Sequence, residues 1–101
     1  MQSGPGGLFR QYEANQVAAD AKYEDRILQV TGIVDSIGKD ILGRIYITFK
    51  VDGEQIFSVQ CFFEDRFKDE VARLKKGQKT VLIGKCRGKL GNVLLVGCHF
   101  E

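Results

Sequence analysis

Basic residues gather at two predicted turns of this 101-residue chain, although its net charge is only +2. Residues 71–101 contain seven basic residues and one acidic residue, whereas residues 1–70 contain eight basic and twelve acidic residues. This asymmetry indicates an anionic partner, although a solvated basic face that keeps a small protein soluble would give the same pattern. The turn residues are Lys39 and Arg44 at the first turn and Lys85, Arg87 and Lys89 in the last hairpin.

Residues that could catalyse a reaction or bind a metal do not form a recognisable set. His99, the only histidine, directly follows Cys98 in a predicted strand, so the two side chains would point to opposite faces. The cysteines and His99 lack the spacing of zinc ligands, and no glycine-rich loop leads from a strand into a helix. Asp35, Asp40 and Asp52 occur at predicted turns, where aspartates bind the backbone. We therefore expect a protein that is not an enzyme and has no cofactor or metal.

Three cysteines, Cys61, Cys86 and Cys98, do not fit a closed set of disulfides because their number is odd. Cys86 and Cys98 would lie far apart along one hairpin, beyond the ~7 Å between Cα atoms that a disulfide spans. A bridge between Cys61 and Cys98 requires their strands to be neighbours. Buried thiols that pack as small apolar side chains are the favoured interpretation.

The N-terminal part of the chain predicts a flexible lead at residues 1–7 and helix over residues 8–22. Asn15 is a typical N-cap residue and predicts that a second short helix begins at Gln16. Residues 8–101 are predicted to form a single domain, because the chain is too short for two. No apolar run approaches the ~18 residues of a membrane span, and the first residues do not resemble a signal peptide.

Alternating apolar residues predict three successive strands, over residues 26–37, 44–51 and 56–63. Gly32 predicts a bulge or bend in the first of them. The apolar residues of the second and third strands share one face only if the turn between them is longer than two residues, so we predict a three-residue turn containing Gly53. A helix is predicted over residues 64–77, ending at Gly77. It precedes two final strands, over residues 79–86 and 92–100, in which Gly84 and Gly97 predict bends.

Three strands, a helix and two further strands are the element order of the OB-fold. The predicted fold is mainly β: a five-stranded Greek-key barrel with a helix between strands three and four and extra helices at the N-terminus. In this fold, oligonucleotides bind the open face of strands two and three and the loops between strands one and two and strands four and five.

Several segments also resemble the tRNA-anticodon-binding-like family of small bacterial OB-fold proteins. They are YEANQVAADAKYEDRILQVTGIVDSIGKD, VQCFF and LKKGQKTVLIGKCRGKLGNVLLVGC, which cover most of the chain from Tyr12 to Cys98. The resemblance implies the same fold and, through kinship with OB-folds that bind tRNA anticodons, a nucleic-acid ligand. It implies no catalytic residues. Many members are exported or lipid-anchored, so the resemblance leaves the localisation of this chain unknown.

A candidate binding surface follows from the alternation, which turns Tyr46 and Phe62 away from the core. Nucleic-acid bases stack on such rings, and nearby cations neutralise phosphates. The predicted nucleic-acid-binding residues are Tyr46, Lys50, Gln60, Phe62, Lys39, Arg44, Lys85, Arg87 and Lys89, with the basic hairpin as a clamp at one edge. Alternatively, the N-terminal helices cover Tyr46 and Phe62, and Tyr12 and Tyr23 are helix-to-barrel contacts.

Two functions are therefore open. The first is a module that binds single-stranded DNA or RNA weakly and with little sequence preference. The alternative is an OB-fold of the bacterial cell envelope that binds a protein or a small ligand.

Overall fold

Six strands and three helices make up the fold in the computed structural model, which describes residues 2–52 and 57–101. A 3₁₀ turn at Asp65–Phe67 precedes the third helix. In chain order the elements are β1 (Gln2–Ser3), α1 (Pro5–Ala14), α2 (Gln16–Tyr23), β2 (Ile27–Lys39), β3 (Ile45–Phe49), β4 (Val59–Phe63), α3 (Lys68–Ala72), β5 (Lys79–Leu90) and β6 (Asn92–Phe100).

The strands β2 to β6 form the predicted closed five-stranded barrel. Their order is β2-β3-β4-β6-β5, and β5 pairs again with β2 to close the sheet, while β1 adds a short parallel pairing to the outside of β2. The pairing of β4 with β6 is parallel and the other barrel pairings are antiparallel. The OB-fold prediction is therefore confirmed.

The long strand β2 belongs to both halves of the barrel. Its first half, Ile27–Ile33, pairs with β5, and its second half from Val34 pairs with β3. Gly32 lies just before this change, and a Cβ atom there would lie 2.6 Å from Pro5 and 2.7 Å from Phe49. The irregularity in the pairing lies between Val34 and Ser36, so Gly32 allows close packing and the bulge predicted there is displaced to Asp35.

The strands β3 and β4 place their apolar residues on one face, as predicted. Phe49 pairs with Val59 and Ile47 with Cys61, and all four side chains are fully buried. Both strands are shorter than the sequence predicted, because the pairing ends at Phe49 and Val59. The predicted three-residue turn at Gly53 lies outside the described residues.

The predicted helix at residues 64–77 is much shorter in the structure. It is a 3₁₀ turn followed by one turn and a half of α-helix that ends at Ala72. The amide of Gly77 donates to the carbonyl of Val34 at 2.8 Å, and the amide of Val34 donates to the carbonyl of Gln78 at 2.9 Å. These hydrogen bonds tie the following segment to β2, so tertiary pairing overrides the helical pattern beyond Ala72.

The N-terminal helices pack on the barrel next to β2, β5 and β6. The side chain of Asn15 accepts a hydrogen bond from the amide of Ala18 at 3.0 Å, which confirms the predicted N-cap of α2. The first helix begins at Pro5, within the segment predicted as a flexible lead, because proline is favoured at the first helical position. Leu8, Phe9 and Tyr12 are at most 2% exposed and belong to the barrel core.

The three cysteines are free and fully buried, as the favoured interpretation predicted. Burial raises the pKa of the Cys61 thiol well above its ordinary value, and a hydrogen bond with Cys98 on the neighbouring strand raises it further. Burial likewise raises the pKa of Tyr12, whose hydroxyl lies 3.5 Å from the sulfur of Cys86. The Cys61 thiol is therefore a protonated packing group at neutral pH.

The last hairpin is longer than predicted, since β5 continues to Leu90 and β6 begins at Asn92. The bend predicted at Gly97 is confirmed. There φ is 60°, and the pairing of β6 shifts relative to both β5 and β4. A residue with a Cβ atom is strained in this conformation, so glycine allows the strand to curve around the barrel.

Candidate functional site

The outer surface of β3 and β4 carries the side chains that alternation turns away from the core. We call it the β3–β4 face and define it by Tyr46, Thr48, Gln60 and Phe62. Tyr46 pairs directly with Phe62 and Thr48 with Gln60 across the two strands. The face therefore has an aromatic half and a polar half.

The aromatic half of the face is a compact cluster. The rings of Tyr46 and Phe62 meet edge to face, with centroids 6.1 Å apart. The ring of Tyr46 also lies over Gly38 of β2, where an added Cβ atom would be 3.1 Å from the tyrosine oxygen. Packing against the bare backbone of Gly38 holds Tyr46 flat on the sheet, and Tyr46 remains half-buried.

Arg44 covers the ring of Phe62. Its guanidinium carbon lies 4.3 Å from the centroid of the ring, within the range of a cation–π interaction. Phe62 is consequently only 7% exposed, whereas the side chain of Arg44 is 53% exposed. The expectation that both aromatic rings are open to solvent is therefore wrong for Phe62. The planar surface that faces solvent at this point belongs to Arg44.

Asp40 holds Arg44 in place and shapes the loop between β2 and β3. One carboxylate oxygen accepts from the amides of Leu42 at 3.0 Å and Arg44 at 2.8 Å, and the other accepts from Nε of Arg44 at 2.7 Å. Desolvation tends to raise the pKa of Asp40, but these hydrogen bonds and the charge of Arg44 together lower it below its ordinary value. The predicted role of Asp40 as a turn residue is confirmed.

The lowered pKa of Asp40 predicts a dependence of stability on pH. A carboxyl group with a lower pKa in the folded state stabilises the fold fully above its unfolded pKa of about 3.9, and this stabilisation is lost as the pH falls through the folded value. We expect the wild type to lose more unfolding free energy than Asp40→Asn between about pH 5 and pH 2.5. Urea unfolding of both proteins at the two pH values measures this difference. Equal losses would show that the Asp40 carboxylate contributes nothing to pH-dependent stability.

The polar half of the face is engaged in hydrogen bonds within the protein. The hydroxyl groups of Thr48 and Ser36 bond to each other. The amide group of Asn92 donates to Gln60 at 2.9 Å, and its oxygen accepts from the amide of Ser58 at 2.8 Å. Few of these polar groups are therefore available to read the edges of a ligand.

Three predicted site residues of the basic hairpin are placed beyond this face, and two of them lie next to acidic side chains. Arg87 pairs with Asp25 at 3.0 Å. The Nζ atom of Lys89 lies 4.0 Å from a carboxylate oxygen of Glu13 and 5.6 Å from the ring centroid of Phe57. Lys85 is exposed on the outside of β5. Glu13 of α1 and Asp25, just after α2, thus partly balance the positive charge of the hairpin, and its role as a clamp stays a prediction.

The N-terminal helices contact the barrel but pack mainly on β2, β5 and β6, beside the β3–β4 face rather than over it. Tyr12 and Tyr23 are buried helix residues, with ring centroids 6.3 Å apart, as the alternative interpretation proposed. That interpretation also placed the helices over Tyr46 and Phe62, but in the structure Arg44 covers Phe62 and Tyr46 lies against Gly38. Lys50 lies at one end of the face, and Lys39 lies at the end of β2, where it pairs with Ile45; both are exposed.

Comparison with known families gives a match over residues 6–99, nearly the whole chain, to the family described as tRNA_anti-like. The chain belongs to the tRNA_anti-like family. The resemblance inferred from the sequence segments is thereby confirmed. A comparison with curated proteins gives no match.

Solved structures support the same fold for this tRNA_anti-like chain. One of them is the crystal structure of a "putative nucleic acid-binding lipoprotein" from Klebsiella pneumoniae subsp. pneumoniae MGH 78578. The two chains are 16% identical, the TM-score is 0.76, and the match covers 99% of this chain and 92% of the other. At this identity the likeness establishes the fold.

Two site features of this tRNA_anti-like chain were missed by sequence reasoning. The stacking of Arg44 on Phe62 depends on the pairing of Tyr46 with Phe62, because Arg44, two residues before Tyr46, then lies diagonally across from the ring. The sequence held no signal for this contact, because the position of the guanidinium depends on the loop that Asp40 closes. The link from Asn92 to Gln60 had none, because it joins strands far apart in sequence.

Residues 2–52 and 57–101 contain neither a cluster of metal-binding side chains nor a helix that could span a membrane. No group of three or more His, Cys, Asp or Glu side chains in these ranges could hold a metal ion. None of their helices has the length and apolar character needed to span a membrane.

Proposed function

We propose that this protein is a non-enzymatic binding module whose β3–β4 face holds single-stranded nucleic acid. The observation that carries the proposal is the cluster of Arg44, Phe62 and Tyr46 on the face that OB-folds use for oligonucleotides. The three groups form one continuous surface that combines positive charge with stacking area.

Arg44 is the central contact in this proposal. Its inner surface rests on Phe62 and its Nε is bound by Asp40, so the guanidinium is held in one orientation before a ligand arrives. The outer surface of a guanidinium stacks on nucleic-acid bases, and its N–H groups bind phosphate oxygens. Preorganisation lowers the entropic cost of such a contact. The exposed part of Tyr46 supplies a neighbouring surface on which a second base stacks.

The ligand passes between two loops in this arrangement. Lys39 lies at the loop between β2 and β3, and Lys50 lies just beyond the end of β3. Both lysines are exposed, so either can neutralise a phosphate at its end of the face. Lys85 and Arg87 lie on β5, which pairs with neither β3 nor β4. Their charges therefore act on a ligand at the aromatic cluster only from a distance.

Weak binding with little sequence preference follows from the polar half of the face. Gln60 and Thr48 are the side chains best placed to read base edges, but Asn92 and Ser36 already bind them. Stacking and phosphate contacts remain, and both tolerate any base. The net charge of +2 also supports modest affinity, because dedicated nucleic-acid-binding domains are more basic.

The comparisons support the same ligand class. The family name refers to tRNA anticodons, and the similar Klebsiella structure is described as nucleic acid-binding. That protein is also described as a lipoprotein, which supports an exported origin for this chain as well.

Fluorescence anisotropy with labelled single-stranded DNA and RNA of about 12 nucleotides tests this proposal. We expect saturable binding to both, and weaker binding to the corresponding duplex. With about three phosphate contacts, affinity should fall roughly 10- to 20-fold between about 50 and 200 mM salt, because counterions are released on binding.

Absence of salt-dependent binding to any of these oligonucleotides would contradict the proposal. The alternative function, binding of a protein or a small ligand in the cell envelope, would then be favoured.

A further inference from the structure

A second concave surface lies at the end of the barrel next to α3. It opens between the end of β2, the start of β3 and the helix, and has a volume of about 240 Å³. We call it the α3 groove. Its lining residues are Ile37, Gly38, Lys39, Ile45, Lys68, Val71 and Ala72.

The bottom of the α3 groove is aliphatic. Ile45 and Val71 are 5% and 2% exposed, and Ile37 leaves 39% of its surface in contact with solvent. The groove exists because α3 is only five residues long and presents the small side chain of Ala72 at this point. An aliphatic chain in the groove would cover apolar surface that the protein itself leaves open, which stabilises the bound state.

Two lysines give the α3 groove its charge. Lys39 and Lys68 line it from β2 and from α3, and both are exposed. Within the described ranges neither lysine forms an ion pair. Asp40, the acidic residue next to Lys39, is bound to Arg44 instead. An acid group at the rim of the groove would therefore meet two lysines that form no ion pair in the described ranges.

We propose that the α3 groove binds an aliphatic monocarboxylate. The alkyl part lies on Ile37, Ile45 and Val71, and the carboxylate lies between Lys39 and Lys68. The groove is smaller than the ~300–1,000 Å³ of sites for drug-sized ligands, so it fits a short fatty acid or the last residue of a peptide that ends in an aliphatic side chain. The proposal does not depend on nucleic-acid binding, although Lys39 is common to both surfaces.

A titration of the full chain with hexanoate, followed by NMR of backbone amides, tests the site. We expect saturable shifts at residues 37–39, 45 and 68–72, and no saturable shifts there with hexylammonium, which carries the opposite charge. Hexan-1-ol, which has no charge, should bind more weakly than hexanoate. Lys68→Gln should weaken hexanoate binding about two- to fivefold, the effect of losing one exposed ion pair.

Substitutions outside the β3–β4 face distinguish binding in the α3 groove from a general attraction between opposite charges. Ala72→Leu fills the groove and should reduce hexanoate affinity about tenfold or more. The matched control Lys75→Gln removes an exposed lysine that does not line the groove and should leave the affinity unchanged. A spectrum of Ala72→Leu that retains the native dispersion shows that the fold is intact.

The source of the carboxylate is distinguished by a second pair of probes, acetyl-Gly-Leu with a free carboxylate and with a C-terminal amide. Binding of hexanoate alone assigns the groove to small acids. Binding of the free peptide but not its amide assigns it to protein C-termini. Shifts that do not saturate with either acid, or equal losses in Lys68→Gln and Lys75→Gln, would overturn the proposal.

Discussion

Replacing Arg44 with glutamate should reduce affinity for single-stranded oligonucleotides by about tenfold or more, because one stacked contact alone is worth roughly 1–3 kcal/mol. The guanidinium that covers Phe62 is lost, and a negative charge takes its place beside Asp40. The dependence of binding on salt should also become shallower, since one phosphate contact disappears. Anisotropy titrations at two salt concentrations measure both effects.

Arg66 provides a matched control for Arg44. Its guanidinium carbon lies 4.8 Å from the centroid of Phe67, and its Nε lies 3.7 Å from Glu64, so its setting is similar. It lies in the 3₁₀ turn before α3, outside the β3–β4 face. Arg66→Glu changes net charge by the same amount and should leave affinity nearly unchanged. Equal losses in the two variants would mean that binding follows total charge and that the β3–β4 face is not the site.

Replacing Phe9 with alanine should lower the free energy of unfolding by about 3–5 kcal/mol, the usual cost of removing a buried phenylalanine ring. Phe9 lies in α1, is 1% exposed and belongs to the barrel core. The N-terminal helices are then part of the folded unit rather than an attachment to it. Urea denaturation followed by circular dichroism measures the change.

Val17 of α2 is the control for this result. It is 82% exposed, so Val17→Ala should change stability by less than about 0.5 kcal/mol. A loss of less than about 1 kcal/mol in Phe9→Ala would contradict the packing described for α1. Oligonucleotide affinity of the folded Phe9→Ala protein should be unchanged, because α1 does not contribute to the β3–β4 face.

Local patterns in the sequence were sufficient to predict the barrel. The alternation through Ile45, Ile47 and Phe49 determines which face of β3 is buried, because side chains in a strand point to opposite sides in turn. Asn15 marks the start of α2 through a bond to an amide only three residues away. Both patterns depend only on residues close together in sequence, so the structures that they predict are present in the folded protein.

Features determined by distant contacts could not be predicted in the same way. The helical pattern from Phe67 to Leu74 is overridden because Gly77 and Gln78 bind Val34, far away in sequence. The charges of Arg87 and Lys89 appeared free in the sequence, but folding brings Asp25 and Glu13 beside them. These ion pairs join residues far apart in sequence, so they could not be predicted before the fold was known.

The candidate site likewise has one part that local patterns predict and one part that they do not. Alternation identified Tyr46 and Phe62 as outward-facing residues correctly. It could not show that Arg44 covers Phe62, because the position of that guanidinium depends on the loop that Asp40 closes. The candidate surface therefore changes from an open pair of rings to an arginine held on one ring beside a half-buried tyrosine.

The central claim is that ligand binds the β3–β4 face with Arg44 at its centre. NMR of backbone amides during titration with a single-stranded oligonucleotide tests it most directly, because the amide signal of each residue is observed separately. We predict saturable shifts concentrated at residues 39–50 and 58–62, with the side-chain Nε signal of Arg44 among the largest. Shifts confined to the N-terminal helices and the tip of the last hairpin, with β3 and β4 unaffected, would contradict the account.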